Sequence, residues 1–188
     1  DGSAEVVKYW GDATLTEITL PNELDGHTVT AIGVSAFSFC DSITNIVIPD
    51  SVITIGDSAF TYCKSLTSIS IPDSVVSIGE GAFCGCKSLT SITIPAGVTT
   101  IDKRTFFGCD LLASVSIPDS VVSIGEEAFW CCKSLTSITI PTGVTTIEKG
   151  AFHGCDLLAS VSIPDGVVSI GEEAFSFCDS LTSITIPD

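Results

Sequence analysis

Apolar and polar positions recur along this chain in a fixed frame. From Pro118 to Ile140 the order is PDSVVSIGEEAFWCCKSLTSITI, and a shift of 23 residues restores it. Prolines mark the period at Pro49, Pro72, Pro95, Pro118, Pro141, Pro164 and Pro187; the remaining one, Pro21, lies 28 before Pro49. Within a unit, Leu135-x-x-Ile138-x-Ile140 alternates with period 2, which predicts a strand with one buried face. Pro141 ends it, because proline cannot donate to a sheet ladder. Val121-x-x-Ile124 predicts a second extended piece, stopped by Gly125 as in most copies. Glu-x-Ala128-Phe129-x-x-Cys132 then predicts a helical or 3₁₀ turn. A period of this length predicts stacked units that bury a core only together.

Stacking turns each column of the repeat into a ladder with rungs about 4.8 Å apart. The interior columns are Phe37, Phe60, Phe83, Phe106, Phe129, Phe152 and Phe175, and Leu66, Leu89, Leu112, Leu135, Leu158 and Leu181, with Ile43 in the first unit. A second period of 46 overlays the first: 95–140 and 141–186 share 37 of 46 positions, which points to duplication of paired units. Residues 1–14 break the frame. Val6, Val7, Tyr9 and Trp10 are expected to cover the open end of the core as an N-terminal cap, with residues 15–188 as the repeats. The chain holds no methionine and its last two residues open another unit, so the natural chain is expected to continue.

The columns Ala-Phe-x-x-Cys-x-x-Leu-x-x-Ile-x-Ile-Pro resemble the 23-residue consensus of the BspA-type, or treponemal-class, leucine-rich repeat. The resemblance runs from about Leu15 to the end. It includes the lengthened first unit, where five extra residues hold an Asp25-Gly26 turn. It implies a mainly β repeat solenoid: a right-handed superhelix of short parallel strands joined by 3₁₀ or helical turns. It also implies a cell-surface or secreted protein, often adhesive, with no catalytic residues to carry over.

Composition narrows the partners. Of 188 residues, 7 are Lys or Arg and 23 Asp or Glu, a formal charge of −16. No basic patch exists to meet a phosphate backbone or an anionic membrane, and no apolar run reaches the ~18 residues of a span. The expected partner is a protein or glycan of host matrix or cell surface, bound by a monomer without cofactor or metal. The alternative is a structural spacer that holds another domain away from the surface.

Candidate chemistry lies in the columns. Cys40, Cys63, Cys86, Cys109, Cys132, Cys155 and Cys178 fall in one column; parallel Cβ vectors suit a disulfide poorly, so buried free thiols are expected. Cys84 and Cys131 are the extra, more reactive pair. Asp73, Asp119 and Asp165 recur every second unit, about 10 Å apart, too far to chelate calcium alone. Asp57, Glu80, Lys103, Glu126, Lys149 and Glu172 alternate in sign from Glu80 on, which relieves like-charge stacking. Outward strand positions are hydroxyls, among them Ser91, Thr93, Ser137 and Thr139, and offer a docking face. The column after the core phenylalanine varies most; its Phe107, Trp130 and His153 occupy consecutive rungs and predict an aromatic partner surface. Phe39, Tyr62 and Phe177 vary in the next column, and Tyr62 joins the candidate set. The only histidines, His27 and His153, stand in distant units, and no nucleophile motif or phosphate loop is present.

Overall fold

The computed structural model describes residues 2–9 and 14–185. Trp10 and the Pro187-Asp188 pair lie outside them. In chain order the strands are β1 (Ser3–Val6), β2 (Glu17–Thr19), β3 (Glu23–Leu24), β4 (His27–Ile32), β5 (Asn45–Val47), β6 (Thr54–Ile55), β7 (Ser68–Ser70), β8 (Ser77–Ile78) and β9 (Ser91–Thr93). There follow β10 (Thr100–Ile101), β11 (Ser114–Ser116), β12 (Ser123–Ile124), β13 (Ser137–Thr139), β14 (Thr146–Ile147), β15 (Ser160–Ser162), β16 (Ser169–Ile170) and β17 (Ser183–Thr185).

They form two parallel ladders. The Ile-x-Ile pieces stack as β2-β5-β7, β9-β11 and β13-β15-β17; the Val-x-x-Ile pieces stack as β1-β4-β6-β8 and β10-β12-β14-β16. Register is one repeat: Ser137 faces Ser160, which faces Ser183. In the lengthened unit β3 and β4 form an antiparallel hairpin. Its Asp25 and Gly26 both have positive φ, 50° and 79°, the requirement of a two-residue hairpin turn.

The segment between the ladders is not helical. Among the described residues no helix or 3₁₀ segment occurs, and the physical reason is where the N–H groups go. In the first regular copy, Ala59, Thr61 and Cys63 donate within their own unit to Gly56, Ser58 and Phe60. The intervening Ser58, Phe60 and Tyr62 donate to Glu80, Ala82 and Cys84 of the next unit, at 2.8, 2.8 and 2.6 Å. Ser58 and Tyr62 take left-handed φ of 54° and 55°, which turns alternate peptides along the stack. A third ladder of turns replaces the expected helix, and backbone groups that a helix would satisfy internally bind unit to unit.

Inside the three ladders run the predicted columns. The phenylalanine rings stand in a single file from Phe37 to Phe175, with centroids 5.2–5.7 Å apart and planes within 16°. Tyr9 stacks on Phe37 at 5.5 Å, β1 pairs with β4, and Val6 packs against the core while Val7 stays exposed. One unit departs from the Ala-Phe pattern with Thr105; its buried hydroxyl donates to the Asp102 carbonyl at 2.8 Å, so no polar group is orphaned there.

Candidate functional site

The turn ladder sets the geometry of the candidate site. Two of its columns are left-handed in every unit. Ser35, Ser58, Gly81, Arg104, Glu127, Gly150 and Glu173 have φ of 54–60°; Phe39, Tyr62, Gly85, Gly108, Cys131, Gly154 and Phe177 have 55–69°. Glycine adopts this region freely, whereas an L side chain there costs about 1–2 kcal/mol. Three copies of the second column use glycine. Three others place a large aromatic ring in the same conformation.

Those rings face water. Phe39 is 66% exposed, Phe177 70% and Tyr62 37%. Phe39 and Tyr62 stack with centroids 5.2 Å apart and planes 14° apart. Tyr62 lies across Gly85 of the next unit, where a Cβ would come within 2.5 Å of the ring. Gly85→Ala should therefore lower stability by about 1–3 kcal/mol, from the left-handed backbone plus displacement of the ring. In a Tyr62→Ser background only the backbone share, about 1 kcal/mol, should remain. A urea double-mutant cycle measures the difference, and additivity would show that ring and glycine do not touch.

Phe107, Trp130 and His153 do form a file. Phe107–Trp130 centroids are 6.2 Å apart at 12°, and Trp130–His153 3.6 Å at 6°. The Arg104 guanidinium stands 5.5 Å from the Phe107 centroid. Trp130 lies against Gly150, where a Cβ would meet the indole at 2.8 Å. His153 tilts against Phe177 at 5.0 Å and 54°, and its Nδ1 stands 3.7 Å from Glu173 Oε2. All three rings are half-buried, and of the exposed rings it is Phe177 that this file meets, through His153. Ser91, Thr93, Ser137 and Thr139 are exposed as expected, but on the first strand ladder. The structure thus divides the candidate residues between two faces. Phe39 and Phe177 are the residues that sequence reasoning noticed without selecting. The signal was present: Gly85, Gly108 and Gly154 mark their column as left-handed.

Charges staple neighbouring units. Lys103 meets Glu126 at 2.8 Å, Arg104 meets Glu127 at 2.6 Å, and Lys149 meets Glu172 at 2.8 Å. Hydrogen bonding from Lys103 holds the Glu126 carboxyl below its ordinary range, and Lys149 does the same for Glu172. Such exposed pairs contribute little.

The thiol column is chemically quiet. From Cys63 on, each Sγ–H donates to the phenylalanine carbonyl one unit back: Cys63 to Phe37 at 3.0 Å, Cys86 to Phe60 at 3.1 Å, Cys109 to Phe83 at 3.1 Å, Cys132 to Phe106 at 3.3 Å, Cys155 to Phe129 at 3.2 Å and Cys178 to Phe152 at 3.2 Å. All nine cysteines are free thiols. Burial pushes Cys63 up to about 12 and Cys86, Cys109 and Cys132 well above the ordinary thiol value. Cys84 and Cys131 are less buried, yet burial raises them too. A thiol held protonated is a poor nucleophile. Among the described residues no His/Cys/Asp/Glu group has the arrangement of a metal site, and no helix is long and apolar enough to cross a membrane.

Known proteins share this fold. A leucine-rich repeat protein of T. pallidum is 34% identical with a TM-score of 0.90, over 96% of this chain and 83% of that one. A leucine rich cell surface protein of Faecalibacterium prausnitzii A2-165 is 38% identical at 0.88, over 98% of this chain and 50% of its own. A leucine-rich repeat protein of Eubacterium ventriosum is 31% identical at 0.78, over 93% and 44%. The chain thus spans half or less of the length of the latter two. None of the curated proteins matches. The pattern of the BspA type leucine rich repeat region matches in six copies, over residues 8–136 and 76–188. With the period, the single file of phenylalanines and the parallel ladders, that match makes this chain a member of the BspA-type leucine-rich repeat family, bacterial repeat proteins that are typically protein-interaction modules.

Proposed function

We propose that this chain is a non-catalytic interaction module of a bacterial cell-surface or secreted protein, adhering to host or neighbouring-cell macromolecules through its turn face. Residues 1–14 serve as N-terminal cap and 15–188 as the repeats. The observation that carries the reading is the second left-handed column. Where sister units use glycine, Phe39, Tyr62 and Phe177 hold a ring in a costly backbone conformation and present it to water. Their contacts, Phe39 on Tyr62 and Phe177 on His153, leave much of each ring in water; strained residues cluster at functional sites, and exposed aromatic anchors supply most of the energy in many interfaces. The half-buried file of Phe107, Trp130 and His153 adjoins Phe177 and extends this aromatic face. Ser91, Thr93, Ser137 and Thr139 offer a second, weaker contact face.

The rings make a sharp test, because stability and binding should part company. Phe39→Gly and Phe177→Gly each relieve the left-handed strain, so unfolding free energy should stay within about 1 kcal/mol of the parent. Capture of proteins from host-matrix or cell-surface extracts should fall at least tenfold. The rival reading, a rigid spacer, expects no capture that depends on either ring. Phe107→Ser and Trp130→Ser are less clean, since half-buried stacked rings also support the fold, by about 1–2 kcal/mol each.

A further inference from the structure

The column that follows each strand of the second ladder reads Gly33, Gly56, Gly79, Asp102, Gly125, Glu148 and Gly171. Its glycines have a steric reason. A Cβ on Gly56 would come within 2.8 Å of the Val34 nitrogen, and one on Gly125 within 2.8 Å of the Lys103 nitrogen. Each clash is with the backbone of the preceding unit. Asp102 and Glu148 carry a Cβ in that column. The strand ladders break at the two boundaries that these residues face. At Asp102, β7 does not pair with β9, nor β8 with β10; at Glu148, β11 does not pair with β13.

The Asp102 boundary is the wider. Elsewhere the column's N–H donates to the isoleucine one unit back, Gly79 to Ile55 at 2.9 Å and Gly125 to Ile101 at 2.8 Å; Asp102 makes no such bond to Ile78. Val76 and Val122 donate to Ile53 and Thr99, both at 2.9 Å, whereas Thr99 makes no bond to Val76. The Thr90 to Thr67 link remains, at 3.3 Å. Phe83 and Phe106 face each other across this boundary 5.7 Å apart, against 5.2–5.4 Å for the other steps between phenylalanines. The Lys87–Asp110 pair also crosses it, and at 3.5 Å is longer than the other lysine pairs, at 2.8–3.0 Å. The turn ladder alone is undisturbed: Gly81, Phe83 and Gly85 donate to Lys103, Thr105 and Phe107 at 2.9, 2.9 and 2.7 Å. At Glu148 the spreading is partial. Thr136 makes no bond to Ala113, but Glu148 donates to Ile124 at 2.9 Å and β12 pairs with β14.

We propose that the Asp102 boundary is a hinge of the solenoid. The Asp102 Cβ wedges two units apart on their strand side, and the intact turn ladder is the pivot. Residues up to 86 and residues from 91 move as two bodies about it. Opening costs less here than at any other boundary, because fewer backbone hydrogen bonds tie the strand sides together. Phe39 and Tyr62 belong to the first body and Phe177 to the second, so the hinge sets the angle between the exposed rings. It also varies the curvature of the hydroxyl face. Neither consequence depends on what those faces bind.

Amide exchange in the whole chain reads the seam directly. Thr99 and Asp102 should show protection factors about a hundredfold below those of Val122 and Gly125. Asp102→Gly removes the wedge and should bring residues 99 and 102 within about tenfold of that pair. Asp102→Ala keeps the Cβ without the carboxylate and should exchange as the parent does. Residual dipolar couplings read the motion. In the parent, residues 14–86 and 91–185 should need two alignment tensors; in Asp102→Gly one tensor should fit both. Protection of Thr99 and Asp102 equal to that of Val122 and Gly125 would overturn the seam, and a single tensor for the parent would overturn the hinge. If Asp102→Ala behaves as Asp102→Gly does, or if neither change restores protection, the Cβ is not the wedge and the proposal falls.

Discussion

Raising the pH above about 9 should unfold this solenoid abruptly in reducing buffer, with stability nearly flat from pH 6 to 8. The cause is the thiol column. Cys63, Cys86, Cys109, Cys132 and Cys155 are raised in the fold, first of all by burial. A raised folded value means that the native state holds its proton after the unfolded chain has released one. The stabilisation is fully present below the unfolded value of about 9 and is lost as pH climbs toward the folded values. Each thiol contributes a slope of about 1.4 kcal/mol per pH unit in that window. Five together give about 7 kcal/mol per unit, against a typical total stability of 5–15 kcal/mol. The midpoint at 25 °C should fall near pH 10–11, and circular dichroism across pH 7–11 would read it. Cys109→Ser keeps a donor for the Phe83 carbonyl and removes one titrating group. It should cut the slope by about a fifth, whatever it costs at neutral pH. Stability unchanged to pH 11 would mean that the column is wetter than the structure shows.

The contrast between interior and edge shows what a repeating sequence discloses. Phe83, Phe106 and Phe129 were legible as one file because stacking in register is the only way a 23-residue unit with so little apolar surface can bury it. The hydroxyl face was legible for the same reason, since period 2 fixes which side of a strand meets water. The turn segment was misread. Ala128, Phe129 and Cys132 have helical spacing, but spacing reports which side chains are buried, not the sign of φ between them. That sign was written only in Gly85, Gly108 and Gly154, and it becomes readable once their column is compared with Phe39, Tyr62 and Phe177. Likewise Trp130 is half-buried because it leans on Gly150 of the following unit. Its exposure depends on a neighbour 20 residues away in sequence, and no pattern within its own unit reveals that.

Phe106→Ala should be the most damaging single truncation. The ring is fully buried, with Phe83 at 5.7 Å on one side and Phe129 at 5.3 Å on the other. Deleting it leaves a cavity in the middle of the file and removes two stacking contacts, a loss of about 3–5 kcal/mol. The loss also has a direction, because each unit of a solenoid is held by its two neighbours alone. A defect at Phe106, the fourth phenylalanine of the file, weakens the coupling between the units before and after it. The urea transition should broaden or split. In a Trp10→Phe background, Trp130 fluorescence would follow the second half, and amide exchange in β5 to β8 the first. Phe106→Leu, which refills most of the space, should restore cooperativity and most of the stability. A Phe106→Ala transition that stays single and loses under 1 kcal/mol would show that neighbouring rings close the gap, and that the file is softer than its planes, 4° and 16° apart across Phe106, imply.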